Sequence, residues 1–504
     1  MIAPALLLAA IAFVPLDDRP VTAALPVMLG RIAGVAVATP PLQDLGSHLV
    51  AGNADAVGRW LNRATYDRTN TAFVVSSDML AYGGLIASRA PGATYADARS
   101  RLLQLRATRA ARPDAFVAAF GTVMRLAPTG APAWSGFFAA YPVWTYLQAY
   151  ANLHDPPLPD EMQTAQHLQA EIPPPTLAAY LQTRARDVAV DRFLLELVSE
   201  GAIDRLVLGQ DDAGLVGLHV KDVQLLESTV RDENLAQRVS IEPGADELGM
   251  ALVANALARH ARWTPHIGVR FSTPTGAMYR DPLEYAPVSS AIDALVGLCG
   301  GVRDDARPDI VLSVRVPGTD ATHDDAFVAA IDADAAAGRE VALADLSFLQ
   351  SYASQKAFAE RILSSGLARR LDAYAAWNTN ANTVGTALAE AVAAGAGRRA
   401  GTYDALAHRT FTFVRFLDDY VFHDEVRIGL NAQLEADNVA DRSLLPPDLT
   451  ATLSARNRAI LWNRAEQLVA QLDPGYHIAA ITIDLPWNRT FETKIDAALA
   501  PNLK

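Results

Sequence analysis

Residues 205–214 read Arg205-Leu206-Val207-Leu208-Gly209-Gln210-Asp211-Asp212-Ala213-Gly214. The first part is an apolar run, which is typical of a strand buried on both faces of a parallel sheet. The second part places an amide and two carboxyl groups where this strand ends, followed by a glycine. The same pattern of a buried strand that ends in acidic or amide side chains recurs along the chain, and it indicates both the fold class and the place to look for a site.

Further apolar runs predict the other strands of such a sheet. With residues 205–209, they are residues 12–16, 72–76, 116–120, 238–241, 267–271, 310–314, 341–344 and 371–375. Helical patterns such as residues 191–200 and 245–261 lie between them, and this alternation is typical of an α/β fold. We therefore expect a (β/α)8 TIM-barrel-like domain over residues 1–400. Residues 401–504 predict an added helical region, broken at Pro446-Pro447, and a C-terminal strand over residues 478–485 packed on the barrel.

The composition is that of a soluble globular protein and argues against several functions. The 504 residues include 43 Lys and Arg against 56 Asp and Glu, a net charge of −13. Such an acidic chain is a poor partner for duplex nucleic acid, whose phosphates must be neutralised. The single cysteine, Cys299, permits no internal disulfide and no cysteine-based zinc site. No apolar run reaches the roughly 20 residues that a membrane-spanning helix needs. A homo-oligomer remains open.

The amino-terminal segment has two interpretations. Residues 2–14 are apolar enough for the core of a signal peptide, but no Lys or Arg precedes them. They also run directly into Pro15-Leu16-Asp17-Asp18-Arg19-Pro20, as a buried first strand would. The second interpretation favours a cytoplasmic protein. A secreted or periplasmic location is the alternative if residues 1–12 are the remnant of a signal.

Residues 128–175 interrupt the alternation of strands and helices. This region is too long for an ordinary loop, so we expect a partly helical excursion over the mouth of the barrel. It is rich in proline and aromatic residues, namely Trp134, Phe137, Phe138, Tyr141, Trp144, Tyr146 and Tyr150. These rings could serve as platforms for a ligand or form a small core of their own.

Carboxylate chemistry is what remains after the other motifs are excluded. The chain has no phosphate-cradling glycine-lysine loop, no nucleophile elbow and no paired histidines at metal-ligand spacing. We therefore expect no cofactor, although a Mg or Ca site built from Asp and Asn oxygens stays open. Asp211 and Asp212 are the predicted catalytic pair. One carboxylate would orient a substrate amide and the other would serve as general acid, as substrate-assisted glycoside hydrolysis requires. The structural alternative is that both residues cap the helix entered near Leu215.

The predicted substrate-binding residues share a position at or near the carboxyl ends of strands, where α/β folds place their chemistry. They are Asp17, Asp18, Arg19, Asp78, Tyr82, Arg125, Glu242, Asp246, Glu247, Asp345, Trp377, Asn378 and Asn382. Arg19 and Arg89 would clamp the nearby carboxylates or donate to sugar hydroxyls. The indole of Trp377 would stack on a sugar ring or plug the end of the barrel. Asp418-Asp419 and Asp424-Glu425 predict a solvated or paired helix face with Arg415 and Arg427.

Six motifs resemble a bacterial family known only as domain-of-unknown-function family 4127. They are Pro15-Leu16-Asp17-Asp18-Arg19-Pro20, Asp78-Met79-Leu80-Ala81-Tyr82-Gly83-Gly84-Leu85, Gln210-Asp211-Asp212, Gly244-Ala245-Asp246-Glu247, Trp377-Asn378-Thr379 with Asn382 and Gly385, and Pro486-Trp487-Asn488-Arg489-Thr490-Phe491-Glu492. The resemblance spans essentially the whole chain and brings no established activity with it. Ala376 departs from the glycine that the resemblance implies, which would narrow the space beside Trp377.

A second resemblance concerns the order of the parts. Counted from residue 12, Asp211-Asp212 follow the fourth strand, although a strand over residues 34–38 would shift this count. This is similar to O-GlcNAcase-type β-N-acetylhexosaminidases, and the similarity implies that Asp211 orients the acetamide and Asp212 is the general acid/base. We thus expect a glycoside hydrolase. The alternatives are a Mg- or Ca-assisted enzyme for a small acidic substrate, with Asp17, Asp78, Asp211 and Asp246 as ligands, or a carbohydrate-binding protein without catalysis.

Overall fold

The computed structural model describes residues 9–125, 158–170, 172, 174–215, 217–348, 350–439 and 442–502. The chain forms two compact units, each assembled from several stretches of sequence. Met1–Asp18, Ala38–Gly249 and Pro282–Tyr285 make up the first unit, and Arg19–Val37, Met250–Asp281 and Ala286–Lys504 make up the second. The predicted division of the chain at residue 400 stays a prediction.

The strands are numbered in chain order. They are β1 Ala10–Val14, β2 Ala36–Ala38, β3 Asn70–Ser76, β4 Phe116–Val123, β5 Arg205–Gln210, β6 Val239–Pro243, β7 His266–Phe271, β8 Val302–Arg303, β9 Ile310–Arg315, β10 Glu340–Asp345, β11 Ala373–Ala375, β12 Tyr476–Asp484 and β13 Lys494–Pro501.

The α-helices are numbered in the same way. They are α1 Leu25–Ala33, α2 Ala54–Tyr66, α3 Ser77–Tyr82, α4 Leu85–Ser88, α5 Tyr95–Ala111, α6 Pro159–Ala170, α7 Pro174–Ser199, α8 Leu218–Asp232, α9 Leu248–His260, α10 Val288–Leu298, α11 Ala321–Ala336, α12 Tyr352–Ser364, α13 Asn380–Ala400, α14 Ala405–Arg415, α15 Arg427–Ala436 and α16 Pro447–Leu472. The π-helical segment Phe416–Val426 joins α14 to α15.

The first unit is built around a sheet of strand order β2-β1-β3-β4-β5-β6. The pairs from β1 to β6 are parallel, and the apolar residues of β1 and β3 are buried on both faces, as crossover helices require. Ser76 lies opposite Phe120, and Gln210 lies opposite Val123. The carboxyl ends of β3, β4 and β5 therefore meet at one edge of the sheet.

The second unit has a parallel sheet of order β11-β10-β9-β7-β8 and an antiparallel pair, β12 with β13. Its core contains apolar residues of β10, α12, the π-helical segment and α16, among them Leu343, Phe358, Phe416 and Leu461. Within this core the rings of Tyr374 and Phe416 stack with their centroids 3.8 Å apart. Strand β11, which carries Tyr374, is thereby fixed beside the π-helical segment.

The α/β class and each of the nine predicted strands are confirmed, with boundaries that differ by up to three residues. β1 ends at Val14, so Asp17-Asp18 follow a short turn and not the strand itself. The terminal strand and the helices around Pro446-Pro447 are also confirmed. The sequence interpretation missed β8 and β13, and it allowed but did not commit to β2. With β2 present, β5 is fifth along the chain, yet it is fourth in the sheet when counted from β1.

Two sequence predictions concern segments that the structure describes only in part. Of the region 128–175, α6 and the start of α7 are helical, while the seven aromatic side chains predicted as platforms lie outside the described residues. Residues 10–14 form a strand, as the second interpretation of the amino terminus predicts. In the part of the chain that the structure describes, no helix has both the length and the apolar character needed to cross a membrane.

Gly209 is required by a close backbone approach at the end of β5. A Cβ atom at this position would lie 2.2 Å from the carbonyl oxygen of Gly244, which follows β6. The amide of Gly244 also donates to the carbonyl of Gln210 at 3.1 Å. The loop after β6 is therefore fastened to the residues immediately before Asp211.

We predict that Gly209→Ala lowers the free energy of unfolding by about 1–3 kcal/mol, because backbone atoms must move to accept the new methyl group. Equilibrium urea unfolding measures this change. Gly214→Ala is the matched control, since a Cβ there meets nothing within 4 Å, and it should leave the midpoint nearly unchanged. Equal midpoints for the two variants would contradict the close approach.

Candidate functional site

Two arginine–aspartate ion pairs form the centre of the carboxyl edge in the first unit. Nη2 of Arg89 lies 2.5 Å from Oδ2 of Asp211, and Nη1 of Arg125 lies 2.5 Å from Oδ2 of Asp212. Arg125 also approaches Oδ2 of Asp211 at 3.8 Å. The two carboxyl groups predicted as a catalytic pair are thus held by different arginines. The sequence alternative that Arg89 clamps a carboxylate describes this contact.

Asp212 has an unusual backbone, and neither aspartate caps the following helix. Its φ of +47° lies in the left-handed region, which Asp visits more readily than most residues. Helix α8 begins at Leu218 with Gly217 at its N-cap position and no side-chain cap hydrogen bond. The capping alternative for Asp211 and Asp212 is therefore not observed. The turn instead directs two successive carboxyl groups to two arginines.

The burial of these groups differs in a way that bears on their chemistry. The side chain of Arg89 is 3% exposed, that of Asp211 is 18% exposed and that of Asp212 is 33% exposed. Burial, followed by the nearby charge of Arg89, lowers the pKa of Arg125, while the two aspartates act in the opposite direction. Asp212 is consequently the more accessible carboxylate to a molecule arriving from solvent.

Asp78 lies in α3, directly after β3, and extends the same charge network. Its Oδ2 accepts a hydrogen bond from Thr122 of β4 at 2.8 Å. The pKa of Asp78 is raised to about 7. Burial is the largest cause, Asp187 acts in the same direction, and Thr122 and Arg89 oppose the shift. Asp78 therefore exchanges a proton near neutral pH while Arg89 binds Asp211.

A group of buried acids on α7 lies next to Asp78 and was missed by the sequence interpretation. Burial raises the pKa of Asp187 to about 6 and raises the pKa of Asp191 well above its usual range. Arg186 hydrogen-bonds Asp187 and stacks on the ring of Tyr82 at 4.4 Å. Burial also raises the pKa of Tyr82. Tyr82 is thus held among structural charges, and the sequence carries no signal of this beyond the polar residues of α7.

Other predicted residues of the first unit occupy separate surroundings. Glu242 is inside β6, not after it, and its electrostatic neighbours are Arg205, Glu227 and Tyr285. Burial raises the pKa of Glu242 to about 7. Glu242 is nevertheless only one residue from the carboxyl end of β6, and its part in substrate binding stays a prediction.

Four further acidic residues are placed close to strand ends. Asp17 and Asp18 follow β1, and the amide of Asp18 donates to the carbonyl of Gly46 at 3.0 Å. Asp246 and Glu247 immediately precede α9 and are almost completely buried. Oε2 of Glu247 accepts a hydrogen bond from the amide of Ala245 at 3.2 Å. Their part in substrate binding stays a prediction.

In the second unit, Asp345 ends β10 within a network of ion pairs. Nη1 of Arg315 lies 3.2 Å from both of its oxygens, and the hydroxyl of Ser347 donates to it at 2.7 Å. Arg315 also binds Asp324 at 2.8 and 2.9 Å. Burial raises the pKa of Asp345. These contacts give Asp345 a structural role in holding β9 to β10.

Trp377, Asn378 and Asn382 form a local motif at the start of α13. The indole N–H of Trp377 donates to Thr386 at 3.1 Å, and the side chain is 4% exposed. Nδ2 of Asn378, whose φ is +53°, donates to Oδ1 of Asn382 at 2.7 Å. The contacts of Trp377 are those of a buried plug, not of an open platform. Arg19, also in this unit, stacks on the indole of Trp487 at 4.8 Å.

The π-helical segment carries acids that are buried, which corrects the expectation of a solvated face. Arg415 pairs with Asp418 and lies 3.0 Å from Asp419, as the paired interpretation predicts. Burial raises the pKa of both aspartates. Arg427, the other predicted partner, has no carboxylate oxygen within 4 Å among the described residues. A π-helical segment is common at functional sites, and no simple sequence pattern marks it.

Asp424 is the most perturbed carboxyl group of this segment. It is 5% exposed, and neither of its oxygens has a hydrogen-bond partner in the described part of the chain. The pKa of Asp424 is raised to about 9, chiefly by burial and also by the charges of Asp345, Asp419 and Glu425. At neutral pH Asp424 is therefore protonated.

A metal site is the alternative use that the sequence leaves open for these acids. Among the described residues, no group of three or more His, Cys, Asp or Glu side chains is arranged to hold a metal ion. Oδ2 of Asp211, one of the expected ligand atoms, contacts Arg89 and Arg125.

Comparison with known protein families matches residues 11–496 to the family described as "Protein of unknown function (DUF4127)". The chain belongs to this family. No curated protein and no solved structure matches it. The resemblance to O-GlcNAcase-type enzymes therefore gains no support, while the family resemblance carried by the six motifs is confirmed. DUF4127 membership states no activity, so the chemistry must be inferred from the geometry of this chain.

We predict that Asp424→Asn stabilises the protein at pH 8 and leaves stability unchanged near pH 4. The folded pKa of Asp424, about 9, exceeds the unfolded value near 4. The contribution of protonated Asp424 to the stability of the wild type is therefore lost as the pH rises between these two values. Asparagine mimics the protonated acid and removes that loss, which amounts to at least about 1 kcal/mol at pH 8. Urea unfolding at both pH values measures it, and a variant that is less stable than wild type at pH 8 would contradict the assignment.

Proposed function

We propose that the chain is a glycoside hydrolase whose reaction is carried by the carboxyl edge of the first unit. The observation that carries this proposal is the position of Asp211 and Asp212. Two adjacent carboxyl groups follow a buried parallel strand, and each is bound by its own arginine. Hydrolysis of a glycosidic bond commonly uses two carboxyl groups in different roles.

Asp211 suits the role of a permanently ionised carboxylate. Arg89 at 2.5 Å and Arg125 at 3.8 Å both face its Oδ2. Two cations favour the charged form of an acid. An ionised Asp211 can accept a hydrogen bond from the N–H of a 2-acetamido group and orient the acetamido oxygen toward the anomeric carbon. The proposed substrate class is accordingly a glycan or small glycoside that contains an N-acetylhexosamine.

Asp212 suits the role of the acid/base. It is more exposed than Asp211, and its left-handed backbone turns it toward Arg125. The Arg125 ion pair keeps Asp212 ionised in the absence of substrate, which is the form that activates water as a base. To protonate the leaving oxygen, Asp212 must first gain a proton, so a substrate that separates it from Arg125 favours the acid form.

The finer features of the fold belong to the same proposal. Parallel strands alternate with helices along the chain, and the (β/α)8-like barrel expected from the sequence stays our proposal for the architecture. In such a barrel the carboxyl ends of β3, β4 and β5 contribute to the catalytic face.

We predict that purified protein releases the aryl group from N-acetylhexosaminides and leaves the corresponding plain sugars intact. Asp212→Asn should lower kcat by about 10²-fold or more, because it removes proton transfer. Aryl glycosides with and without the acetamido group are compared side by side. Saturable sugar binding without turnover would favour the carbohydrate-binding alternative, and a wild-type rate in Asp212→Asn would contradict the assigned role.

The ion pair gives a second prediction. Arg125→Met removes a cation beside Asp212 and raises its pKa. If Asp212 is the acid in the rate-limiting step, the alkaline limb of the kcat/KM profile moves to higher pH, since the protonated form persists further. Arg109→Met is the matched control, because Arg109 pairs with Asp204 at the opposite end of β5. An unchanged profile in Arg125→Met, or an equal shift in both variants, would contradict the coupling.

A further inference from the structure

A second polar site lies in the second unit, where arginines and aromatic rings are interleaved. We call it the Arg427 cluster and define it by Arg427, Arg489, Glu492, Phe348 and Phe491. The guanidinium of Arg427 lies 4.8 Å from the ring centroid of Phe491 and 5.6 Å from that of Phe348. The guanidinium of Arg489 lies 5.1 Å from the same ring of Phe491. Two cations thus share one aromatic side chain.

Arg427 differs from Arg489, the other arginine of this cluster, in its hydrogen bonding. Its Nη1 is 3.4 Å from Nδ1 of His423, a long contact to a residue whose pKa burial lowers well below its usual range. Its Nε is buried and has no hydrogen-bond partner in the described residues. The Nε–Nη2 edge, which binds carboxylates and phosphates through two parallel hydrogen bonds, therefore makes no hydrogen bond to the described chain.

The charge around Arg427 is not balanced by an ion pair. Arg489 is neutralised by Glu492, whose Oε1 lies 2.7 Å from Nη2 and 3.0 Å from Nε. Asp418 is bound by Arg415. Within 4 Å of the guanidinium of Arg427, no described residue contributes a carboxylate oxygen. Burial of a cation without an ion-pair partner is costly. The neighbouring charge of Arg489 adds to that cost, while the more distant charges of Glu492 and Asp418 offset part of it.

We propose that the Arg427 cluster is a binding site for a small oxyanion, a carboxylate or a phosphate group of a ligand. The unused Nε–Nη2 edge supplies two directed donors on a residue that is only partly buried, although the Nε atom itself is not exposed. Phe348 and Phe491 hold the guanidinium by cation–π contact and limit its motion. The site is independent of Asp211 and Asp212, so it stands whether or not the proposed hydrolase activity is correct.

The backbone next to the cluster is strained in a way that fits a constructed site. Trp487 and Asn488 have φ values of +60° and +49°, and a left-handed conformation at a tryptophan is rare. The carbonyl of Asn488 accepts a hydrogen bond from the amide of Leu445 at 2.7 Å. Thr490 donates to Asn431 of α15 at 2.6 Å. This turn therefore fixes Arg489 and Phe491 against the helix that begins at Arg427.

The test is a titration of the full-length protein with sodium acetate or sodium phosphate, with sodium chloride added to hold the ionic strength constant. Specific binding raises the thermal unfolding midpoint above that in chloride alone, and the two anions distinguish a carboxylate site from a phosphate site. Arg427→Gln should weaken the fitted affinity by about tenfold or more, as expected for loss of charge-assisted hydrogen bonds. Arg427→Lys keeps the charge but lacks the bidentate edge, and it should also bind more weakly than wild type.

The matched control is Arg399→Gln. Arg399 also stacks on an aromatic ring, 3.7 Å from the centroid of Trp263, but Glu340 and Asp309 neutralise it. This variant should keep the wild-type response to the anion. If acetate and phosphate act no differently from chloride on the wild type, the proposal fails. Arg427→Lys keeps the charge and therefore serves as the test variant if Arg427→Gln does not fold. The proposal also fails if Arg427→Lys responds to the anions as the wild type does.

Discussion

Buried arginines in the described chain must be matched by carboxylates, and this constraint shapes both units. Arg89 is 3% exposed and reaches Asp211 across 122 residues of sequence. Removing one partner of such a pair leaves a buried charge, at a cost of about 3–5 kcal/mol. The ion pairs that hold the residues after β5 in place are therefore the same ones that influence the ionisation of the two proposed catalytic carboxyl groups. In the proposed reaction, Asp211 and Asp212 would therefore have a structural and a chemical part at once.

The second unit applies the same constraint in two unequal ways. Arg315 and Arg415 each contact two aspartates, so their charges are compensated inside the core. Asp424 is a buried acid that needs no compensating cation, because burial raises its pKa to about 9 and it remains protonated. Arg427 cannot lose its charge in this way, since a guanidinium stays charged at any physiological pH. That contrast is what distinguishes a structural arginine from one that awaits an anion.

The strands were predictable because a strand buried on both faces must be apolar through its centre, as residues 72–75 and 206–209 are. The polar residues after them were predictable as a group for the same reason. The pairing of Arg89 with Asp211 was only one of several options, since the distance between them along the chain is large and local patterns carry no information about it. The burial of Asp424 and the π-helical backbone depend on tertiary packing, and helical periodicity alone suggested a solvated face. The strand Lys494–Pro501 was missed because its alanine-rich sequence lacks the β-branched signal.

The account of function depends on an ionised Asp211 that recognises an acetamido group. Isothermal titration with the thiazoline analogue of N-acetylglucosamine tests this most directly, because the analogue has the fused-ring shape of the intermediate formed when the acetamido oxygen attacks the anomeric carbon. The account predicts saturable binding to the wild type that is lost in Asp211→Asn and retained in Asp204→Asn, which alters the ion pair at the other end of β5. Absence of binding to the folded wild type, or equal binding by Asp211→Asn, would contradict it.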